Sequence, residues 1–318
     1  MINGPHFLIR DIPVYGDVIL APMAGYADVP HRALCRSFGS ALNYTEFVAV
    51  EEVIKGTSST YSLLDFTPDD KPMVVQLFGN DARLFLEAAL MVEEMGADII
   101  DINMGCSTRR VSGRGAGVGM MPQPGLIEDT FSLLCGNLSL PVTGKIRLGW
   151  EDEVNYLEVA RIMVDNGASL IAIHPRTKEQ GYRGTADWDA IAKLREHVPV
   201  PVIGSGDICA PGGIDKMLFE TGCAAVMIGR GVIGNPWLLS RIDKATIPLE
   251  EITGTVRKHL TMMLEYHGER GLILFRKYLK RYLGDEPGIE DILGQMLITE
   301  NIEDFMALLG EIEDTASG

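Results

Sequence analysis

Asp98-Ile99-Ile100-Asp101-Ile102-Asn103, running on through Met104-Gly105-Cys106 into Ser107-Thr108-Arg109-Arg110-Val111-Ser112-Gly113-Arg114-Gly115-Ala116-Gly117-Val118-Gly119-Met120-Met121, is the stretch around which the chain is organised. Its apolar first half reads as a short buried strand. The strand hands over to Asn103, then to Cys106 and a long glycine-rich loop carrying Arg109, Arg110 and Arg114. An α/β enzyme presents a reactive group in this way, on a loop held by a rigid strand. The competing reading is a buried structural cysteine before an ordinary surface loop, since a free cysteine packs as a small hydrophobe.

Similar β-branched runs recur on both sides of it. They are 18–21, 42–45, 73–76, 142–146, 170–173, 200–203 and 225–228, with helix-like stretches such as 82–95, 153–166 and 187–197 between them. Eight strands alternating with helices over residues 1–240 predict a (β/α)8 TIM barrel, whose usual size is about 250 residues. A doubly wound open sheet would need a glycine-rich nucleotide turn after its first strand. Ala21-Pro22-Met23-Ala24-Gly25 is not such a turn. The widest strand spacing brackets residues 104–121, which places that loop on the active face. Gly113 to Gly119 misses the G-x-G-x-x-G register and is expected to be a flexible lid.

The alternation stops after Pro236-Trp237, so residues 241–318 are expected to form a smaller helical domain. Phe275, Tyr278, Leu279, Tyr282 and Leu283 make one apolar helical stripe, with Arg276, Lys277, Lys280 and Arg281 on the other side. Beyond Gly284 come ten acidic residues and no Lys or Arg, so that tail should face away from a polyanion.

Composition narrows the class. A hydrophobic share of 46% in 318 residues gives ample core for a globular enzyme. No apolar run approaches the roughly 18 residues that span a bilayer, and Met1 to Pro13 lacks the layout of a signal peptide. Five scattered cysteines show neither C-x-x-C nor zinc spacing, which predicts a reducing cytoplasm and no metal site. A formal net charge of −16 argues against nonspecific nucleic-acid binding by the whole surface. It leaves room for local basic patches: Arg109, Arg110 and Arg114; Arg176, Lys178 and Arg183; and the four cations at 276–281.

In a barrel of this kind, polar residues at the C-terminal ends of strands form the working site. Here those ends carry Pro22-Met23-Ala24, Glu46, Gln76, Asn103 with Cys106, Lys145 with Arg147, His174, Ser205-Gly206-Asp207 and Gly229-Arg230. Glycines after the last two strands let backbone N–H groups approach an anion, at the recurring phosphate site of the fold. The alternative is two tight turns that need glycine for their backbone. Gln76 offers a donor and an acceptor together, suiting an imide edge, and Lys145 offers a fixed charge for an anionic reduced ring. A phosphate at one end with those groups at the other outlines flavin mononucleotide (FMN) rather than a sugar phosphate. Lys145 could instead pair with Glu46 or Asp101, and His174 could be a core histidine.

The set as a whole resembles the tRNA-dihydrouridine synthase family. Ala21–Gly25 with Asp28, Thr45-Glu46, Gln76–Gly79, Asp101–Cys106, Lys145–Arg147, His174–Thr177 with Gln180–Tyr182, Ala186–Trp188, Gly206–Ile208 and Gly229–Gly231 match its signatures in order. The match runs from about residue 17 to 240, and Arg276–Leu279 resembles the basic helix of the family's C-terminal domain. Ser107, Arg110 and Ser205 stand where the family usually has proline, lysine and asparagine. The resemblance implies an FMN enzyme that reduces C5=C6 of particular uridines in tRNA with NADPH as electron donor. It further implies that Pro22, Met23, Ala24, Gln76, Lys145, His174, Ser205, Gly206, Asp207, Gly229 and Arg230 hold FMN. Cys106 would be the proton donor, and an ordinary thiol is mostly protonated at neutral pH. Asn103, Arg109, Arg110, Arg176, Lys277 and Lys280 are expected on the tRNA side, in a monomer with no membrane attachment. The competing functions are a flavin barrel acting on a free pyrimidine or other small alkene, and a catalytically idle RNA-binding relative.

Overall fold

The computed structural model describes residues 4–151 and 154–316. Its first strands, β1 (Phe7–Ile9) and β2 (Ile12–Val14), form an antiparallel hairpin. The barrel strands follow: β3 (Val18–Leu20), β4 (Asn43–Tyr44), β5 (Val48–Ala49), β6 (Met73–Phe78), β7 (Ile99–Met104), β8 (Val142–Ile146), β9 (Leu170–Ile173), β10 (Val202–Ser205) and β11 (Ala225–Ile228). Between them run α1 (Val29–Ser37), α2 (Val50–Lys55), α3 (Ser58–Leu64), α4 (Ala82–Glu94), the short α5 (Arg109–Ser112), α6 (Pro124–Asn137), α7 (Tyr156–Asp165), α8 (Trp188–His197) and α9 (Pro211–Thr221). Four helices end the chain: α10 (Leu249–His267), α11 (Arg270–Leu283), α12 (Glu290–Ile298) and α13 (Ile302–Ala316).

The parallel order β3-β11-β10-β9-β8-β7-β6-β4 is that of a (β/α)8 barrel. Its seam, between β3 and β4, is closed by few bonds. Ala41 N–H donates to the Val18 carbonyl at 2.9 Å, and the Ser40 hydroxyl bridges Leu20 N–H and the Leu42 carbonyl at 3.0 Å each. An open sheet would leave both edges unpaired, so the doubly wound alternative is excluded.

Side chains alternate along each strand. The inward set near the strand starts is apolar and fully buried: Ile19, Leu42, Tyr44, Val74, Ile99, Leu170, Ile203 and Ala225. The β1–β2 hairpin, absent from the sequence reading, adds Ile9 and Val14 to this cluster and plugs the barrel floor. Outward residues such as Val75, Ile100, Ile102 and Ile171 join the helices in a second core. Side-chain caps set two helix starts: Asp28 accepts from His31 N–H at 3.1 Å, and Asp81 from Arg83 N–H at 2.8 Å.

Some element boundaries differ from expectation. The seventh barrel strand starts at Val202 rather than Val200, because Pro201 has no N–H for the ladder. The helix expected over 153–166 spans Tyr156–Asp165, and Glu153 lies outside the described residues.

The C-terminal helices have their own core, in which Phe275, Tyr278, Leu279, Tyr282 and Leu283 are fully buried. That core docks on the barrel through α1 and the loop before it. Tyr278 donates to the Tyr26 carbonyl at 2.9 Å, and His267 Nε2 lies 3.2 Å from Asp28. Among the described residues, no helix is long and apolar enough to cross a membrane.

Candidate active site

The inward faces turn polar near the strand ends. Two residues beyond Val74 comes Gln76, beyond Ile99 come Asp101 and Asn103, beyond Thr143 comes Lys145, and beyond Ile203 comes Ser205. Strand register pairs Gln76 with Asp101, Asp101 with Thr143, and Asn103 with Lys145. The polar side chains therefore form one connected floor across β6, β7 and β8.

Asn103 organises the cysteine. Its Oδ1 accepts from the backbone N–H of Gly105 at 3.1 Å and of Cys106 at 2.9 Å. The half-buried Cys106 Sγ lies 3.2 Å from Thr108 Oγ1. The following loop corrects the expectation of a flexible lid. It folds into α5 and a 3-10 turn at Gly117–Met120, and Ala116, Val118, Met120 and Met121 are buried. Asn80 and Gln123 side chains bind its carbonyls. Its glycines serve close packing: Gly117, at φ +57°, lies under the Cys106 carbonyl. Arg109, Arg110 and Arg114 stay exposed.

Lys145 is half-buried and, among the described residues, makes no ion pair within 4.0 Å. Neither Glu46 nor Asp101 is its salt-bridge partner. Loss of water pushes its ammonium down to about 8, with Arg147 adding to the effect and Asp101 and Cys106 opposing it. His174 is held neutral, its titration pushed down to about 2 by burial and by Lys145, Arg147, Arg176 and Arg230. Arg176 Nη1 lies 3.2 Å from His174 Nε2. Arginine can only donate, so Nε2 accepts and the imidazole proton sits on Nδ1.

A cavity of about 930 Å3 opens beside Lys145. Pro22, Met23, His174, Ser205–Asp207 and Gly229–Arg230 line it from the barrel. Lys244, Lys280 and Arg281 line it from the C-terminal side. Five cations thus converge on one space. Ala24, Gln76, Asn103 and Cys106 are not in its lining. Gln76 is buried in the floor, with one amide hydrogen donated to Asp101 and its oxygen accepting from Asn103. A second cleft of about 560 Å3 beside Tyr61 and Tyr266 contains none of the predicted site residues.

Three expected roles change with the geometry. Arg176 is 1% exposed and is spent inside the protein, on the Arg183 and Gly184 carbonyls and on both oxygens of Asp207 at 2.7–2.8 Å. It is not a free cation for a tRNA phosphate, and Asp207 is its partner as well as part of the cavity wall. The four cations of α11 do not share one job either. Arg276 binds the Ile298 and Thr299 carbonyls. Lys277 donates to the Gly25 carbonyl and lies over the Tyr26 and Tyr278 rings at 5.1 and 4.9 Å. Lys280 and Arg281 face the cavity.

Asp101, Thr143 and Tyr182 have no site role in the sequence reading, and Arg147 has none beyond its place beside Lys145 at a strand end. Arg147 donates to the Gly105 carbonyl at 2.7 Å and to the Thr177 and Gly181 carbonyls at 3.1 and 2.9 Å. It thereby ties the cysteine loop to the loop after β9. The exposed Tyr182 ring lies 4.1 Å from the Arg230 guanidinium at the cavity edge. Asp101 left a signal, a carboxylate two residues from Asn103 on the inward face of an apolar strand. Tyr182 left none beyond its place in a motif. No cluster of three or more His, Cys, Asp or Glu placed to hold a metal ion occurs among the described residues.

A closed parallel barrel whose strand ends carry a held cysteine, an ammonium outside any ion pair and glycine-containing loops around a cation-lined cavity is a TIM-barrel enzyme by fold and site. The model of the dihydrouridine synthase (Dus) family matches residues 19–292, and the chain belongs to that family of oxidoreductases. It is 41% identical over 273 residues to a Rhizobium leguminosarum bv. phaseoli protein named "Probable tRNA-dihydrouridine synthase", covering 84% of each chain. It is 33% identical over 312 residues to tRNA-dihydrouridine synthase B of Pseudomonas syringae pv. tomato, covering 95% of this chain and 89% of that one. Two solved structures share the barrel at low identity. A 2-naphthoyl-CoA reductase complex aligns with TM-score 0.59 and 10% identity, over 73% of this chain and 50% of the other. Histamine dehydrogenase from Rhizobium sp. 4-9 aligns with TM-score 0.55 and 13% identity, over 80% and 50%. These two likenesses concern the fold alone.

Proposed function

We propose that this chain reduces the C5=C6 bond of particular uridines in tRNA, using FMN and taking electrons from NADPH. Family membership and the names of its relatives support the reaction. The observation that carries the reading is Cys106, held at a strand end by Asn103 across the register from an unpaired Lys145.

The residues fit a flavin mononucleotide. An ammonium left half-buried outside any ion pair suits an anion beside it, and Lys145 lines a cavity large enough for the cofactor. Ser205, Gly206, Gly229 and Arg230 would hold the phosphate at the other side, with Lys280 and Arg281 adding charge. His174, neutral and protonated on Nδ1, would donate to a cofactor oxygen. When bound, FMN supplies the hydride that adds to C6 of the uracil.

The remaining steps belong to the chain. Hydride addition leaves enolate character that needs a proton at C5, and Cys106 carries one on Sγ. Asn103 keeps the thiol's backbone in place, and its Nδ2 keeps a second N–H beyond the one given to Gln76. Lys145 supplies positive charge beside the reacting system. The uridine must leave its stack to reach this floor, at a cost of a few kcal/mol. Arg109 and Arg110, exposed on the loop that carries Cys106, would grip neighbouring phosphates. Residues 241–318 would then form a tRNA-binding domain, with Lys277 bracing the Gly25–Tyr26 edge of the mouth. The test is to incubate the purified, FMN-loaded protein with unmodified tRNA and NADPH, then search the RNA for dihydrouridine by mass spectrometry. Conversion of a free pyrimidine but not of tRNA would overturn the reading.

A further inference from the structure

Asp101 has no place in the chemistry described so far, yet both of its carboxyl oxygens are engaged by side chains of the neighbouring strands. It is fully buried in the middle of β7. Oδ1 accepts from Thr143 Oγ1 at 2.6 Å, and Oδ2 accepts from Gln76 Nε2 at 2.7 Å. Gln76 Oε1 accepts from Asn103 Nδ2 at 2.8 Å. Asn103 Oδ1 accepts from the Gly105 and Cys106 N–H groups. The chain of bonds thus runs from β8 through β7 and β6 and ends on the residue bearing the thiol.

The polarity of this chain has one solution. Burial pushes the Asp101 carboxyl up to about 6, with the Thr143 and Gln76 hydrogen bonds and Lys145 opposing, so at neutral pH it is a carboxylate and can only accept. Gln76 therefore turns its NH2 toward Asp101 and its oxygen toward Asn103. Asn103 must then turn its NH2 toward Gln76, which leaves Oδ1 for the two backbone N–H groups. Reversing either amide sets donor against donor, in a buried place where an unmade hydrogen bond is expensive. The Gly105 and Cys106 N–H groups, which can only donate, set the same direction from the other end, so Asp101 is the acceptor that the far end of the chain requires: without it Gln76 Nε2 would be buried with no partner.

We propose that Asp101 is a positioning residue for the reaction at Cys106, its acceptor oxygens fixing the Gln76 and Asn103 amides and through them the Gly105–Cys106 backbone. The proposal rests on the reading of Cys106 as proton donor. Asparagine at 101 can keep Oδ1 toward Gln76 and offer its NH2 to the Thr143 hydroxyl, so it preserves the anchor of Gln76. Alanine leaves Gln76 Nε2 buried without its acceptor and free to shift.

The experiment compares FMN-loaded wild type, Asp101→Ala and Asp101→Asn. One measurement is the rate of dihydrouridine formation on tRNA. The other is the rate of Cys106 alkylation by iodoacetamide, followed at that peptide by mass spectrometry so that the exposed Cys209 does not interfere. Asp101→Ala is expected to lose about tenfold or more in dihydrouridine formation, since misplacement of about 1 Å can cost about a hundredfold. Its alkylation rate should shift at least about threefold, and Asp101→Asn should stay within about threefold of wild type in both measurements. Equal losses in the two variants, or an alanine variant like wild type in alkylation, would overturn the proposal. An alanine variant that fails to fold leaves the asparagine variant to decide: loss of activity with folded, FMN-loaded protein overturns it. Failure of wild type to make dihydrouridine would overturn the functional reading instead, while the alkylation contrast would still report on the relay.

Discussion

Gly117→Ala should disable the enzyme without emptying it. Gly117 sits at φ +57°, and a Cβ there would lie 2.8 Å from the Cys106 carbonyl oxygen, 2.9 Å from Val111 Cγ1 and 3.2 Å from Cys106 Cβ. Restoring ordinary contact of about 3.4 Å requires the Cys106 carbonyl to move by about 0.6 Å. The left-handed backbone costs alanine about 1–2 kcal/mol, which in a protein of this size lowers Tm by a few degrees. If about 1 Å of misplacement costs about a hundredfold, about 0.6 Å costs about tenfold in the proton-transfer step. Gly115→Ala is the matched control. It carries the same kind of strain at φ +77°, but its Cβ would meet only the movable end of Gln123 at 3.2 Å and Asn80 Cβ at 4.0 Å. FMN content, NADPH oxidation and dihydrouridine formation would be measured for both. Dihydrouridine formation should fall only in Gly117→Ala, and equal activity of the two variants would refute the claim that the packed loop positions Cys106.

Other expectations follow from the same geometry. Arg230→Ala removes a charged contact worth about 1.5–3 kcal/mol, so FMN should dissociate about 10- to 100-fold more readily, read by flavin fluorescence. Lys145 is charged below about 8 and loses its proton as pH rises through that value. FMN affinity of the stripped protein should therefore fall more steeply above pH 8 in wild type than in Lys145→Met. Arg109→Ala and Arg110→Ala should each flatten the salt dependence of tRNA binding by about one unit of log–log slope. Lys277→Met, whose ammonium is committed to Gly25 and two tyrosine rings, should leave that slope largely unchanged.

The barrel could be read from sequence because its strands are short, buried and separated by regular helices, so each announces itself by β-branched runs. Strand ends could be read for the same reason: Gln76 and Asn103 each follow directly on an apolar residue of such a run, and Lys145 lies within the 142–146 run. What stayed hidden depends on partners distant in sequence. Nothing local shows that Arg176 closes on Asp207, 31 positions away, or that Gln76 spends its amide on Asp101 and Asn103. The 113–119 glycines read as mobility, although the space beneath Cys106 and Ser112 is too small for side chains there. The basic face of α11 read as one surface, but its arc meets α12 and the Gly25 loop and reaches the cavity. The β1–β2 hairpin gave only Phe7, Ile9, Ile12 and Val14 around Arg10-Asp11, too few residues to announce a plug.

The most direct measurement of the central claim is a single turnover by Cys106→Ala, loaded with FMN and reduced by NADPH before unmodified tRNA is added. Flavin content and reduction by NADPH should match wild type, since Cys106 does not line the cavity proposed to hold FMN. Dihydrouridine should then appear about 10²- to 10⁴-fold more slowly, the usual worth of a positioned acid. Dihydrouridine formed at the wild-type rate would contradict the assignment of Cys106 as the proton donor.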